Sequence, residues 1–128
     1  MAWCFEDETT EYTESVLSDL SEGVGALVPA IWPYEVTNVL IVAERRKRIA
    51  QNKVIQFVKE LQSFDITVDP QNSARIFRDV MTVAQMHRLT AYDAAYLELA
   101  IREGLPIATL DGNLRRAAVS AGVQFHNA

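Results

Sequence analysis

The chain has little of what several function classes need. A single cysteine, Cys4, cannot form an internal disulfide, which fits a reducing compartment. No activating charge neighbours it, so it reads as a small apolar group. The longest apolar stretches, such as Val-Leu-Ile-Val-Ala at 39–43, fall far short of the ~20 residues that cross a bilayer. No membrane partner is expected. The first ten residues, MAWCFEDETT, lack the basic start and apolar centre of a secretory signal, so the expected location is cytoplasmic. Low-complexity tracts and internal repeats are absent. With 49% hydrophobic and 23% charged residues in 128, one domain spanning 1–128 with its own core is expected.

Chemical motifs are also missing. The sequence contains no HExxH, CxxC, GxGxxG or GxxxxGK[ST], and its two histidines, His87 and His126, have no evident nucleophile beside them. A zinc site and a Ser-His-Asp triad are therefore not expected. Basic residues are absent from the first third. Residues 1–44 carry nine acids and no base, a net charge of −9, whereas residues 45–128 carry eight acids and 12 bases, a net of +4. The overall charge of −5 hides a portion able to attract phosphate. Solvated helix faces are the plainer account of the same residues.

What is present is an alternation of helix and strand patterns. Thr9 or Thr10 can cap a helix with Tyr12, Val16 and Leu20 on one face, ended by Gly23. Ala-Leu-Val at 26–28 reads as a buried strand. Pro33 then suits the first turn of a helix whose apolar face is Val36, Val39, Leu40 and Ala43, closing in Glu-Arg-Arg-Lys-Arg at 44–48. Val54, Phe57, Val58 and Leu61 mark a further helix, and Phe-Asp-Ile-Thr-Val at 64–68 a strand. Pro70 is expected to open a helix with Ile76, Val80, Val83 and Ala84 inward. Thr90 caps the next, with Asp93 three residues on and Gly104 at its end. A strand at 106–110, a helix at 113–121 and a short strand at 123–125 complete the chain. Strands separated by helices of this length imply right-handed crossovers and a parallel sheet covered on both faces, a three-layer α/β/α domain.

In such sheets chemistry gathers beyond the carboxyl ends of the strands. Three carboxylates are expected there: Glu35 and Asp93 in first helical turns, and Asp111 at a strand end. Each has a structural alternative as a helix cap. Asn38 shares a helix face with Glu35, and Thr109 shares a strand side with Asp111, so both can hold ion-bound water. Crowded carboxylates repel one another, and a hard cation such as Mg²⁺ or Mn²⁺ would relieve that repulsion. The cation could then activate water and neutralise a phosphodiester. Arg115 and Arg116 are candidates for phosphate contact, or are simply solvated. Trp3 and Trp32 sit among apolar neighbours and read as core rather than base-stacking residues.

The segments AWCFEDE, WPYEVTNVL and TAYDAAYLELAIREGLPIATLDGNLRRAA together resemble the PIN-domain ribonucleases, in particular VapC-type toxins of toxin-antitoxin pairs. The resemblance extends over essentially the whole chain. Its most specific part is YDAAYLELA followed at the proper distance by a strand ending in TLD. It implies an acidic cluster, here Glu35, Asp93 and Asp111, that holds Mg²⁺ or Mn²⁺ and cuts RNA, with Thr109 at a supporting hydroxyl position. It also implies a homodimer and inhibition by an antitoxin protein in the active-site groove. The chain departs from the family pattern at its opening, where an apolar strand ending in a metal-binding Asp has no counterpart; Glu6 and Asp7 come too late to replace it. The expectation is a sheet without that first strand and a site that holds metal more weakly. An alternative is a non-catalytic or degraded PIN-like module that binds an antitoxin or RNA without cleavage.

Overall fold

A computed structural model describes residues 25–109 and 111–125. The expected helix from Thr9 or Thr10 to Gly23, together with Trp3, Cys4, Glu6, Asp7 and His126, lies outside the described residues. The chain forms two compact units, one reaching to Asp69 and the other starting at Pro70.

In the first unit, β1 (Ala26–Val28) leads into α1 (Trp32–Arg45), then α2 (Gln51–Ser63), then β2 (Ile66–Val68). The strands pair in parallel, Ala26 opposite Ile66 and Val28 opposite Val68. Backbone bonds from Ala26 N to Asp65 O (2.8 Å) and from Asp69 N to Val28 O (2.7 Å) extend the ladder. Pro33 starts α1, as its fixed φ and missing N–H allow. The helix ends where Lys47 takes a left-handed conformation, φ 58°, with Arg48 N bonded to Ala43 O. Val36 and Leu40 pack against Leu61, with half-buried Trp32, Val54, Phe57, Phe64 and Ile66 around them. Trp32 is thus a packing residue. Two expectations are corrected here. Val58 is 37% exposed rather than inward. β1 is half-buried rather than buried.

The second unit is mostly helical. Asn72 Oδ1 accepts the Arg75 N–H at 3.0 Å, so α3 (Ser73–Arg75) begins three residues after Pro70, which lies outside the helix. A five-residue π-helical stretch, Ile76–Val80, follows and continues into α4 (Met81–His87). Its wider turn changes which side chains face inward. Val80 is buried as expected, but Ile76 is 38% exposed and Phe77 71%. Arg88, at φ 54°, ends α4. Then come α5 (Ala91–Glu103) and α6 (Gly112–Ala121), each closed by a left-handed glycine, Gly104 at φ 65° and Gly122 at φ 77°. Among the described residues of the expected strands at 106–110 and 123–125, one parallel bridge joins Ile107 to Phe125. The core of this unit joins Leu97, Ala100, Ile107, Leu114, Ala117 and Ala118.

The helical majority, with parallel strand pairing across helical crossovers, is the α/β class expected from the sequence. Among the described residues, no helix is long and apolar enough to cross a membrane.

Candidate functional site

One hydrogen-bonded part of the candidate site surrounds Asp111. Its backbone is extended (φ −69°, ψ 124°), as a helix cap requires. Its Oδ2 accepts the Leu114 N–H at 2.8 Å, satisfying one of the donors that α6 leaves open. The Asp111 N–H in turn donates to Thr109 Oγ1 at 3.1 Å. Arg115 completes the arrangement: Nε donates to the Thr109 carbonyl at 2.6 Å, and the guanidinium lies 5.3 Å from the Phe125 ring centroid. Thr109 and Asp111 are therefore both tied to α6, with the Asp111 side chain exposed at the positive end of the helix dipole.

Asp93 lies in the first turn of α5. Thr90 Oγ1 accepts the Asp93 N–H at 3.2 Å, so the cap is the Thr90 hydroxyl and the half-buried Asp93 carboxylate lies in the first turn. Glu35 and Asn38 belong to the first unit, in the first two turns of α1; Glu35 is half-buried and Asn38 exposed. The structure thus brings Thr109, Asp111 and Arg115 into one hydrogen-bonded group. Among the described residues, no three of His, Cys, Asp and Glu gather as a metal-holding cluster. In kind, the donors suit a hard cation: they are carboxylate, amide and hydroxyl oxygens without thiolate or imidazole, and Mg²⁺ needs only one or two carboxylates beside water and phosphate. In number, the described residues do not form a closed cage.

Arg115 and Arg116 differ sharply despite being neighbours. Arg115 is half-buried and engaged with Thr109 and Phe125. Arg116 is exposed, with its amino group on the Asn113 side-chain oxygen. Arg116 also borders a cavity of about 420 Å³ lined by Met86, His87, Arg88, Asn113, Ala117 and Ser120. The sequence shows no nucleophile paired with His87, and neither Arg88 nor Ser120 was an expected site residue. One signal was available: Asn113, Arg116, Ala117 and Ser120 are spaced i, i+3, i+4, i+7, the single-face pattern of a helix, on a largely polar stripe.

Buried charge supplies another residue that the sequence did not single out. Glu98 is only 6% exposed, and its two carboxylate oxygens accept from Arg102 Nε at 2.9 Å and from its Nη2 at 3.2 Å. The residue stands four positions before Arg102 on α5, a spacing that pairs side chains on a helix.

Comparison with known proteins agrees with the resemblance read from the sequence. An 81-residue stretch is 33% identical to Ribonuclease VapC3 of Pyrobaculum aerophilum, covering 63% of this chain and 62% of that protein's length. Residues 1–120 match the family described as PIN domain. A match over nearly the full sequence, together with an α/β chain that places an acid at the capped start of α6, establishes that the chain belongs to the PIN-domain family.

Proposed function

We propose that residues 1–128 act as one PIN-like domain that hydrolyses RNA phosphodiester bonds as a metal-dependent endoribonuclease of the VapC toxin type. The observation that carries the reading is the Thr109–Asp111–Leu114 arrangement, which fixes an exposed carboxylate at a helix start. The similarity to a protein named as a ribonuclease supports it. Glu35, Asp93 and Asp111 would hold Mg²⁺ or Mn²⁺, which when bound neutralises phosphodiester charge and lowers the pKa of attacking water. The remaining roles belong to this chain's own groups. Thr109 orients Asp111 through its hydroxyl, Arg115 ties down the loop, Asn38 provides an amide beside Glu35, and Arg116 meets a phosphate. The partners are RNA, a second copy of the chain and an antitoxin protein, in the cytoplasm.

Incubating the protein with single-stranded and structured RNA in Mg²⁺ tests this. Cleavage is expected for the wild type and loss of it for Asp93→Asn; equal RNA decay in both removes the reading. The alternative, a module that binds RNA or antitoxin without cutting, draws on the same cap. Asp111 Oδ2 already serves Leu114, which is a sufficient structural reason for an acid at this position. It predicts stable binding with no Mg²⁺-dependent turnover.

A further inference from the structure

We infer that the cavity between the end of α4 and the outer stripe of α6 is a nucleotide-binding subsite that takes one phosphate of a single-stranded RNA chain and covers the adjoining base. The inference rests on the ribonuclease reading and names where the strand is gripped. Arg88 and Arg116 border the cavity with His87, Asn113 and Ser120, and among the described residues no carboxylate lines it. That is unusual for this chain, which carries more acids than bases. Elsewhere in the same unit, Arg78 pairs with Asp79, and Arg102 with Glu98 and Glu103. Arg88 and Arg116, by contrast, border the cavity with no acid among its described lining residues.

Arg116 is also aimed. Its amino group donates to Asn113 Oδ1, a partner that fixes the side chain without cancelling its charge. Ala117, which is almost fully buried, also lines the cavity with a small side chain. The volume, about 420 Å³, lies within the range of small-ligand pockets and accommodates one nucleotide unit. The non-ionic lining suits the rest of a nucleotide. Met86, 71% exposed, offers a polarisable apolar surface for a base. Ser120 and Asn113 supply the donors and acceptors that a ribose 2′-hydroxyl can use. Asn113 stands two residues after Asp111 on α6, so a strand seated here continues toward the capped acid.

The test uses a fluorescein-labelled ten-nucleotide oligouridylate, with anisotropy read in excess chelator so that binding is separated from cleavage. Arg88→Gln/Arg116→Gln is expected to weaken binding about tenfold. The slope of log K against log salt should become shallower by about 0.7, the value for one neutralised single-strand phosphate. Ser120→Asp, which adds a charge without removing an arginine, should weaken binding in the same direction. Arg78→Gln, the same one-unit charge change as Ser120→Asp but away from the cavity, should leave affinity unchanged. Equal affinity and slope for wild type and both cavity variants overturn the subsite, as does a wild type that does not bind. Parallel Mg²⁺ cleavage assays separate the two readings: pocket-dependent binding without cleavage retains the subsite and removes the nuclease, whereas cleavage with pocket-independent binding does the reverse.

Discussion

The Thr109 hydroxyl accepts the Asp111 backbone N–H at 3.1 Å, while the Asp111 carboxylate turns the other way to accept the Leu114 N–H at 2.8 Å. One residue thus serves as both the cap of α6 and a candidate metal ligand. Asparagine preserves the capping acceptor but removes the charge, whereas alanine removes both. Asp111→Asn should therefore abolish Mg²⁺-dependent RNA cleavage while changing stability by no more than about 0.5 kcal/mol. Asp111→Ala should lose cleavage and about 1 kcal/mol, lowering Tm by roughly 3–5 °C. Thermal melts beside RNA decay measure both; equal destabilisation by the two variants would show that the cap is not a structural element in its own right.

The pairing of Glu98 with Arg102 leads to a stability prediction. The Glu98 side chain is 8% exposed and the Arg102 side chain 26%, so removing the arginine leaves a charge away from water. Arg102→Met should destabilise the protein by about 2–4 kcal/mol, toward the lower part of the range for broken buried pairs because Arg102 retains some solvent. Replacing both partners, Glu98→Leu with Arg102→Met, should recover part of that loss. A denaturant-based double-mutant cycle decides it: additive losses in the double variant would mean that the pair is not coupled.

The ease with which these features could be read from sequence differed for physical reasons. Thr90, Gly104 and the pattern around Val36 and Leu40 were legible because cap chemistry and 3.6-residue periodicity are local. Asp111 was placed at a boundary between apolar run and helix for the same reason. Ile76 was misassigned because a π-helical turn breaks the period being counted, and nothing in Ile-Phe-Arg-Asp-Val announces the change. The stretch at 106–110 has strand composition, yet pairing depends on partners distant in sequence, and among the described residues Ile107 finds one in the bridge to Phe125. The cavity at Arg88 and Arg116 was hidden because it forms between helices separated in the chain.

Asp79 supplies a pH prediction. Its hydrogen bond with Arg78 at 3.0 Å holds the carboxylate below the usual aspartate range, and the arginine charge adds to this. Because the folded-state pKa is depressed, the stabilisation is present above the unfolded value near 3.9 and disappears as pH falls through the folded value. The pair is exposed, so high salt should weaken the effect. Carboxyl NMR should give an Asp79 midpoint below that of an ordinary aspartate. Arg78→Gln should move it upward, and an unmoved midpoint would separate the shift from Arg78.

Lys47 follows α1 at φ 58°, where its Cβ crowds the following carbonyl. A non-glycine residue in this left-handed conformation costs about 1–2 kcal/mol. Glycine removes that cost but gives the unfolded chain more freedom, which offsets about 0.4–1 kcal/mol. The difference favours glycine, so Lys47→Gly should stabilise the protein by up to about 1 kcal/mol, whereas Lys47→Val should destabilise it because branching at Cβ worsens the same contact. Loss of the Lys47 charge is a small competing effect at an exposed position, and Lys47→Asn controls for it by removing charge while tolerating the left-handed conformation. Equilibrium urea unfolding should rank the set as glycine first, then asparagine, lysine and valine. A ranking that follows charge rather than backbone preference would mean that this helix end is governed by its basic cluster.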